Sequence, residues 1–239
     1  MTSLRGIWAM QAQVARDWLR NRALWIMLVL PTGIFWAVHH TAPPSSRGWL
    51  LASWMLFAQV MTGLMIAASH WLEEREQGTW QALWVSPIPI GWLIGAQAAF
   101  ATFLTLISQA GILMVSLKTV YGSGTLGITA LTGALLFTGI GVFIGIASPS
   151  QRSGSLLAAA VMVVFFLSAL IWPGLGNPRG IHTLLGWTPG VLTVRALRAG
   201  LQGKSPTGAV MGGILGWAIL IIALVIVWLH REYTRGVGR

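Results

Sequence analysis

Three of the five carboxylates in this chain sit within one turn of each other, at Glu73, Glu74 and Glu76. Five Asp and Glu in 239 residues leave little room for paired-carboxylate catalysis or for a hard-metal site, both of which need converging oxygens. The absence of cysteine excludes thiolate catalysis, a disulfide framework and Cys-ligated zinc. The residues just after the acids point to contact instead of chemistry. Gly78 is suited to ending a helix, Thr79 to capping a new one, and Pro87 to stopping it. The pattern predicts a short helix over Trp80–Val85 with Trp80, Leu83 and Trp84 on one side. Two large aromatics on a charged elbow fit a docking knob for another protein, and they fit equally a pair of rings anchored in lipid headgroups.

The other candidates are weaker. His39, His40, His70, His182 and His230 mostly fall near the ends of apolar runs, where interfacial polarity explains them without ligation. Gly203-Lys204-Ser205 resembles the end of a phosphate-binding loop, but that loop needs a glycine five residues earlier, and Arg198 stands there. Neither an H-E-x-x-H nor a G-x-S-x-G motif occurs.

The elements that carry these residues can be read from composition. Hydrophobic residues make up 55% of the chain and charged ones 8%, against roughly 25% in a soluble domain. With a net charge of +10, this excludes a disordered chain and a soluble globule. Windows free of charge locate six membrane spans in an all-α integral membrane protein, over about residues 23–39, 49–72, 90–117, 125–147, 154–172 and 208–229. Trp25, Trp36, Trp49, Trp71, Trp92, Trp172 and Trp228 fall near their ends, as interfacial anchors would. Pro31 lies inside the first span and should kink it. No span carries an ionisable residue near its centre, so ion-coupled transport lacks its usual relay.

The flanking segments add detail. Residues 1–22 read as a basic amphipathic helix on the inner leaflet, with Leu4, Ile7, Trp8, Gln11, Ala15 and Trp18 on the apolar stripe. Both termini are expected in the cytoplasm. That places Arg5, Arg16, Arg20, Arg22, Arg75, Arg152, Arg231, Arg235 and Arg239 inside, and Arg47, Lys118, Arg179, Arg195, Arg198 and Lys204 outside. Before the last span, Pro173, Gly174, Gly176, Asn177 and Pro178 form a turn cluster. Thr188-Pro189 then opens a short outer interfacial helix that Gly200 should stop. Arg195 and Arg198 share one face of it, either as solvated charges or facing an anionic lipid or substrate. Gly141 and Gly145, and Gly208, Gly212 and Gly216, have the spacing that lets helices approach closely.

The segment Glu73-Glu-Arg-Glu-Gln-Gly-Thr-Trp-Gln-Ala-Leu-Trp-Val-Ser-Pro87 resembles the coupling segment of the type-2 ABC exporter permeases, a family related to the G-type transporters. Thr188-Pro189 with Arg195 to Gly200 is similar to that family's Asn-Pro…Ala-Leu-Arg stretch, with Thr in place of Asn. Gly95-Ala-Gln97 falls where the family often has Gly-Lys, so that lysine is missing. The resemblance covers nearly the whole chain as a single transmembrane domain. It implies an interfacial helix over 1–22, a cytoplasmic coupling helix within 73–87, and an outer re-entrant region over 173–207 before the last span.

It also implies function. Two permease copies, or one copy and a homologue, would line a substrate pathway in the cell membrane. Two ABC ATPase subunits would dock at Glu73, Glu76, Gly78, Thr79, Trp80, Leu83 and Trp84. ATP and Mg would be bound by those subunits and not by this chain. It would be no enzyme by itself, would bind no cofactor or nucleic acid, and would export cargo that the sequence leaves open. The haem-export-type B subunit of cytochrome c maturation shares the size, the span number and an acidic elbow. A non-transporting membrane scaffold is the alternative from a different class. The six-span topology makes a direct prediction: reporter fusions at residue 239 and near Asn177 will report opposite sides of the membrane, and the same side for both would remove it.

Overall fold

Long apolar stretches cannot leave backbone amides unpaired in a lipid-like medium, and a helix pairs them within the segment. The computed structural model describes residues 21–41, 43, 46–84, 89–116, 124–174 and 180–237, and every element among them is helical. In chain order these are α1 (Arg22–His39), α2 (Arg47–Ala58), a π-helical segment (Gln59–Leu64), α3 (Met65–Glu76), α4 (Thr79–Trp84), α5 (Ile90–Val115), α6 (Gly124–Ala147), α7 (Gln151–Ile171) with a 3-10 turn (Trp172–Gly174), α8 (Ile181–Gly186), α9 (Pro189–Leu201) and α10 (Gly208–Val237). The expected amphipathic helix falls on residues 1–20, apart from its last two positions, and so lies outside the described residues, as do Val85, Pro87, Gly176, Asn177 and Pro178.

Among the described residues five helices are long and apolar enough to cross a membrane: Arg47–Glu76, Ile90–Val115, Gly124–Ala147, Gln151–Gly174 and Gly208–Thr234. They fall on the second to sixth expected spans. The first expected span is a helix too, but its apolar stretch, Leu24–His39, is shorter. α2, the π segment and α3 form one continuous rod that carries the second span on through Glu73, Glu74 and Glu76. These acids therefore end a long helix, just before Gly78.

Pro31 does not end α1. A proline leaves the carbonyl four residues earlier without its amide. Here that carbonyl, on Met27, accepts from the Thr62 hydroxyl at 3.2 Å, and the next one, on Leu28, accepts from Ser108 at 2.9 Å. Both hydroxyls come from neighbouring helices, so the proline is tolerated because other elements satisfy the backbone it frees.

The core is a set of close helix approaches around a polar middle. A Cβ on Gly141 would lie 2.2 Å from the Leu64 carbonyl oxygen, and one on Gly145 would lie 2.7 Å from the Trp71 Cβ. That glycine pair thus serves α6 against the α2–α3 rod within one chain. Gly208, Gly212 and Gly216 are different, because a Cβ on any of them meets nothing within 4 Å. At mid-rod, Gln59 opens the π segment and donates to Gln109 Oε1 at 3.2 Å and to the Ala130 carbonyl at 3.3 Å.

α9 departs from expectation. It is not a helix lying on the surface of the bundle: ten of its 13 residues are buried, and it packs on α2, α6, α7 and α10. Thr188 caps it and Pro189 opens it, as expected. Gly200 does not stop it. The helix runs to Leu201, and Gly203 supplies the positive φ, +69°, that ends it. Gly200 is needed small for another reason: its Cβ would sit 2.8 Å from the Leu126 Cα on α6.

These contacts predict the effect of adding single methyl groups. Gly141→Ala must push two backbones apart and should cost about 1–3 kcal/mol, whereas Gly216→Ala should be close to neutral. Thermal unfolding in a neutral detergent checks this, and equal midpoints for the two variants would contradict the packing.

Candidate functional site

The elbow is built by a helix end and a glycine. The last turn of α3 closes with Gln77 N–H donating to the Glu73 carbonyl at 3.0 Å and Gly78 N–H donating to that of Arg75 at 3.2 Å. Gly78 then takes φ +73°, the left-handed conformation that costs other residues roughly 1 kcal/mol or more. A Cβ there meets nothing within 4 Å, so only the backbone angle demands glycine. Thr79 is the first residue of α4 and does not stand before it as a cap. Its hydroxyl reaches back instead, to the Glu74 carbonyl at 2.9 Å and to the Glu74 carboxylate. The described helix, Thr79–Trp84, begins one residue earlier than the predicted one.

Trp80 is not an exposed knob. It is 6% exposed and belongs to a small core with Trp71, Leu93, Ile94 and Val142. Its ring meets Trp71 edge-on at 5.7 Å and lies 5.8 Å from Trp228 of α10. Trp71 is buried in the same way and is not an interfacial anchor. The correction has a plain cause: a one-turn helix cannot hold its place alone, and its largest side chain is used to fix it to the bundle. Leu83 packs partly against this core, while Glu73, Glu76, Gln77, Gly78 and Thr79 are exposed. Among the described side chains, the surface open to a partner is therefore the polar shoulder of the elbow together with part of Leu83.

Arg75 organises the junction. Its Nη1 donates to the Ser148 carbonyl at 2.6 Å, just past the C-terminus of α6, where orphan carbonyls carry partial negative charge. Its Nη2 lies 3.8 Å from Glu232 Oε1 on α10. The guanidinium also stands over the rings of Trp80, at 5.6 Å, and Trp228, at 5.1 Å. The ion pair is long and partly exposed, so it contributes under about 1 kcal/mol. The charged hydrogen bond and the two stacked rings are the stronger ties. One side chain thus joins the elbow, the end of α6 and the last helix.

The sequence pattern brings Glu73, Glu76, Gly78, Thr79, Trp80 and Leu83 to one elbow, and the structure keeps them there. Trp84 falls within α4. Three partners were missed: Arg75 counted only as an inner charge, Trp228 only as an anchor, and Glu232 not at all. One signal was available, because Glu232 is the first acid after Glu76 in a chain nearly free of them. The buried Gln59–Gln109 pair was also missed, although two glutamines inside apolar runs mark a polar contact between helices. Among the described residues no group of three or more acids and histidines could hold a metal ion. No protein-family model and no curated protein matches the chain.

If Trp80 is the strut of the elbow, Trp80→Ala should leave a cavity costing about 3–5 kcal/mol locally. Hydrogen exchange across residues 77–84 should then rise at least tenfold while α6 stays protected. Unchanged exchange would show that the indole does not hold the elbow.

Proposed function

We propose that this chain is the membrane-spanning permease subunit of an ATP-driven ABC exporter in the cell membrane, with both termini cytoplasmic. Two copies, or one copy and a homologue, form the pathway. Separate ATPase subunits dock at the elbow around Glu73, Glu76, Gly78, Thr79, Leu83 and Trp84 and bind the ATP and Mg. In this reading all six expected helices span, the short α1 included, and Trp80 acts behind the contact surface by transmitting its motion.

The observation that carries the reading is the elbow's construction. A six-residue helix ends a 30-residue rod, is set off by a positive-φ glycine, and is wedged by Trp80 and Arg75 against α6 and α10. A partner that pushes on such a helix moves three long elements together. A loose loop would absorb the push. The lack of charge within the spans fits an outside source of energy, as does the rejected phosphate loop at Gly203-Lys204-Ser205.

Purification from native membranes tests this. The chain should bring down an ATPase subunit in equal number, ATP hydrolysis should reside in that complex, and the isolated chain should bind no ATP. Stoichiometric ATP binding by the isolated chain, or a chain that purifies from mild detergent without any ATPase, would overturn the proposal.

A further inference from the structure

Among the described residues, the end of the bundle opposite the elbow carries basic residues and no acid. Between Glu76 and Glu232 the sequence holds no Asp or Glu, and between Asp17 and Glu73 it holds none either. Every side-chain carboxylate apart from Asp17 is therefore on the elbow or on the last helix beside it. Trp49 lies 24 residues before Glu73 on one continuous rod, which places it about 36 Å away, a distance comparable to the bilayer's apolar core with its interfaces.

Around Trp49 the rings form a rail. Trp49 stacks on Trp172 at 5.8 Å with 19° between the planes, and Trp172 stacks on His182 at 4.6 Å. Trp172 is fixed by its indole N–H, which donates to the His182 carbonyl at 3.2 Å. Two guanidiniums from α9 lie on this rail, Arg195 over Trp172 at 5.5 Å and Arg198 over Trp49 at 5.7 Å. α9 is anchored by its ten buried residues, so the spacing of the two arginines is set before any ligand arrives. Arg198 is exposed and Arg195 half-buried, and among the described residues neither makes an ion pair or a side-chain hydrogen bond. Lys204 is exposed on the turn that closes the same helix.

Ring faces satisfy the flat side of a guanidinium and leave its in-plane N–H donors directed outward. Donors of this geometry match the paired oxygens of a phosphate. We propose that Arg195 and Arg198, held on Trp172 and Trp49, bind the phosphate headgroup of an anionic membrane lipid in the leaflet opposite the elbow. A lipid is favoured over a free anion because the donors sit on an aromatic rail of the kind that marks the membrane interface, at the end of an apolar bundle. The site does not depend on an ATPase partner, so it stands or falls separately from the transport reading.

Native mass spectrometry of the purified chain in a neutral detergent tests it, with equimolar dioleoyl-phosphatidylglycerol and dioleoyl-phosphatidylcholine as probes. Wild type should retain phosphatidylglycerol selectively. Arg195→Gln/Arg198→Gln should weaken that binding roughly 10- to 30-fold, and Arg198→Gln alone, an exposed change that leaves α9 packed, should weaken it several-fold. Arg152→Gln, on an exposed arginine of α7 near the elbow, should leave it unchanged. The proposal is overturned if wild type shows no preference, if the arginine variants bind as wild type does, or if Arg152→Gln weakens binding as much. Displacement of the lipid by millimolar inorganic phosphate would assign the site to free anions and overturn the lipid assignment.

Discussion

One guanidinium holds the elbow end of this chain together. Arg75 comes from the last turn of a long rod, yet it is bound to the end of α6 and to two rings and a carboxylate outside its own helix. With 8% of residues charged, the chain has few ways to fix the angle between a short helix and the bundle beneath it. Apolar packing is non-directional. A planar cation that donates to a helix-end carbonyl while standing over two adjoining indoles is directional in every contact. The proposed lever would rest on that geometry: Trp80 ties α4 to α3 and α10.

The interior applies the opposite principle. Between helices that are already apolar, attraction comes from close approach and from hydrogen bonds. Gly141 and Gly145 bring α6 onto the rod, Gln59 links the rod to α5 and α6, Thr62 supplies the donor that Pro31 cannot, and Ser108 adds one to the next carbonyl. α9 enters this packing from the other end, with Gly190 against the Phe165 carbonyl and Gly200 against Leu126. The two ends are thus joined through a packed middle. Among the described residues the acids gather at the elbow, and the far end bears only positive charge.

Much of the helix layout was legible because charge-free windows have sharp edges. Residues such as Arg47, Glu76 and Arg152 bound them, and the helices begin and end close by. Gly78 was legible for the same kind of reason, since a glycine between a charged helix end and Thr79 has few other roles. Gly200 was misleading. A glycine near a helix end reads as a stop, but whether it is small for its backbone or for its neighbour depends on Leu126, some 74 positions away. Trp80 misled similarly. An indole on a polar elbow looks exposed until Trp71 and Trp228 are seen around it, and nothing local announces a partner on the last helix. Long-range pairing of single side chains is the information that periodicity does not carry.

The central claim is that the outer shoulder of the elbow is covered by an ATPase subunit. The chain has no cysteine, so Leu83→Cys introduces a single reactive thiol at the edge of that shoulder. In inside-out membrane vesicles, a membrane-impermeant maleimide should label this thiol readily in the chain alone. Labelling should slow at least tenfold when the ATPase subunit that co-purifies with the chain is added. Equal labelling rates with and without it, in vesicles where the complex has formed, would contradict the account.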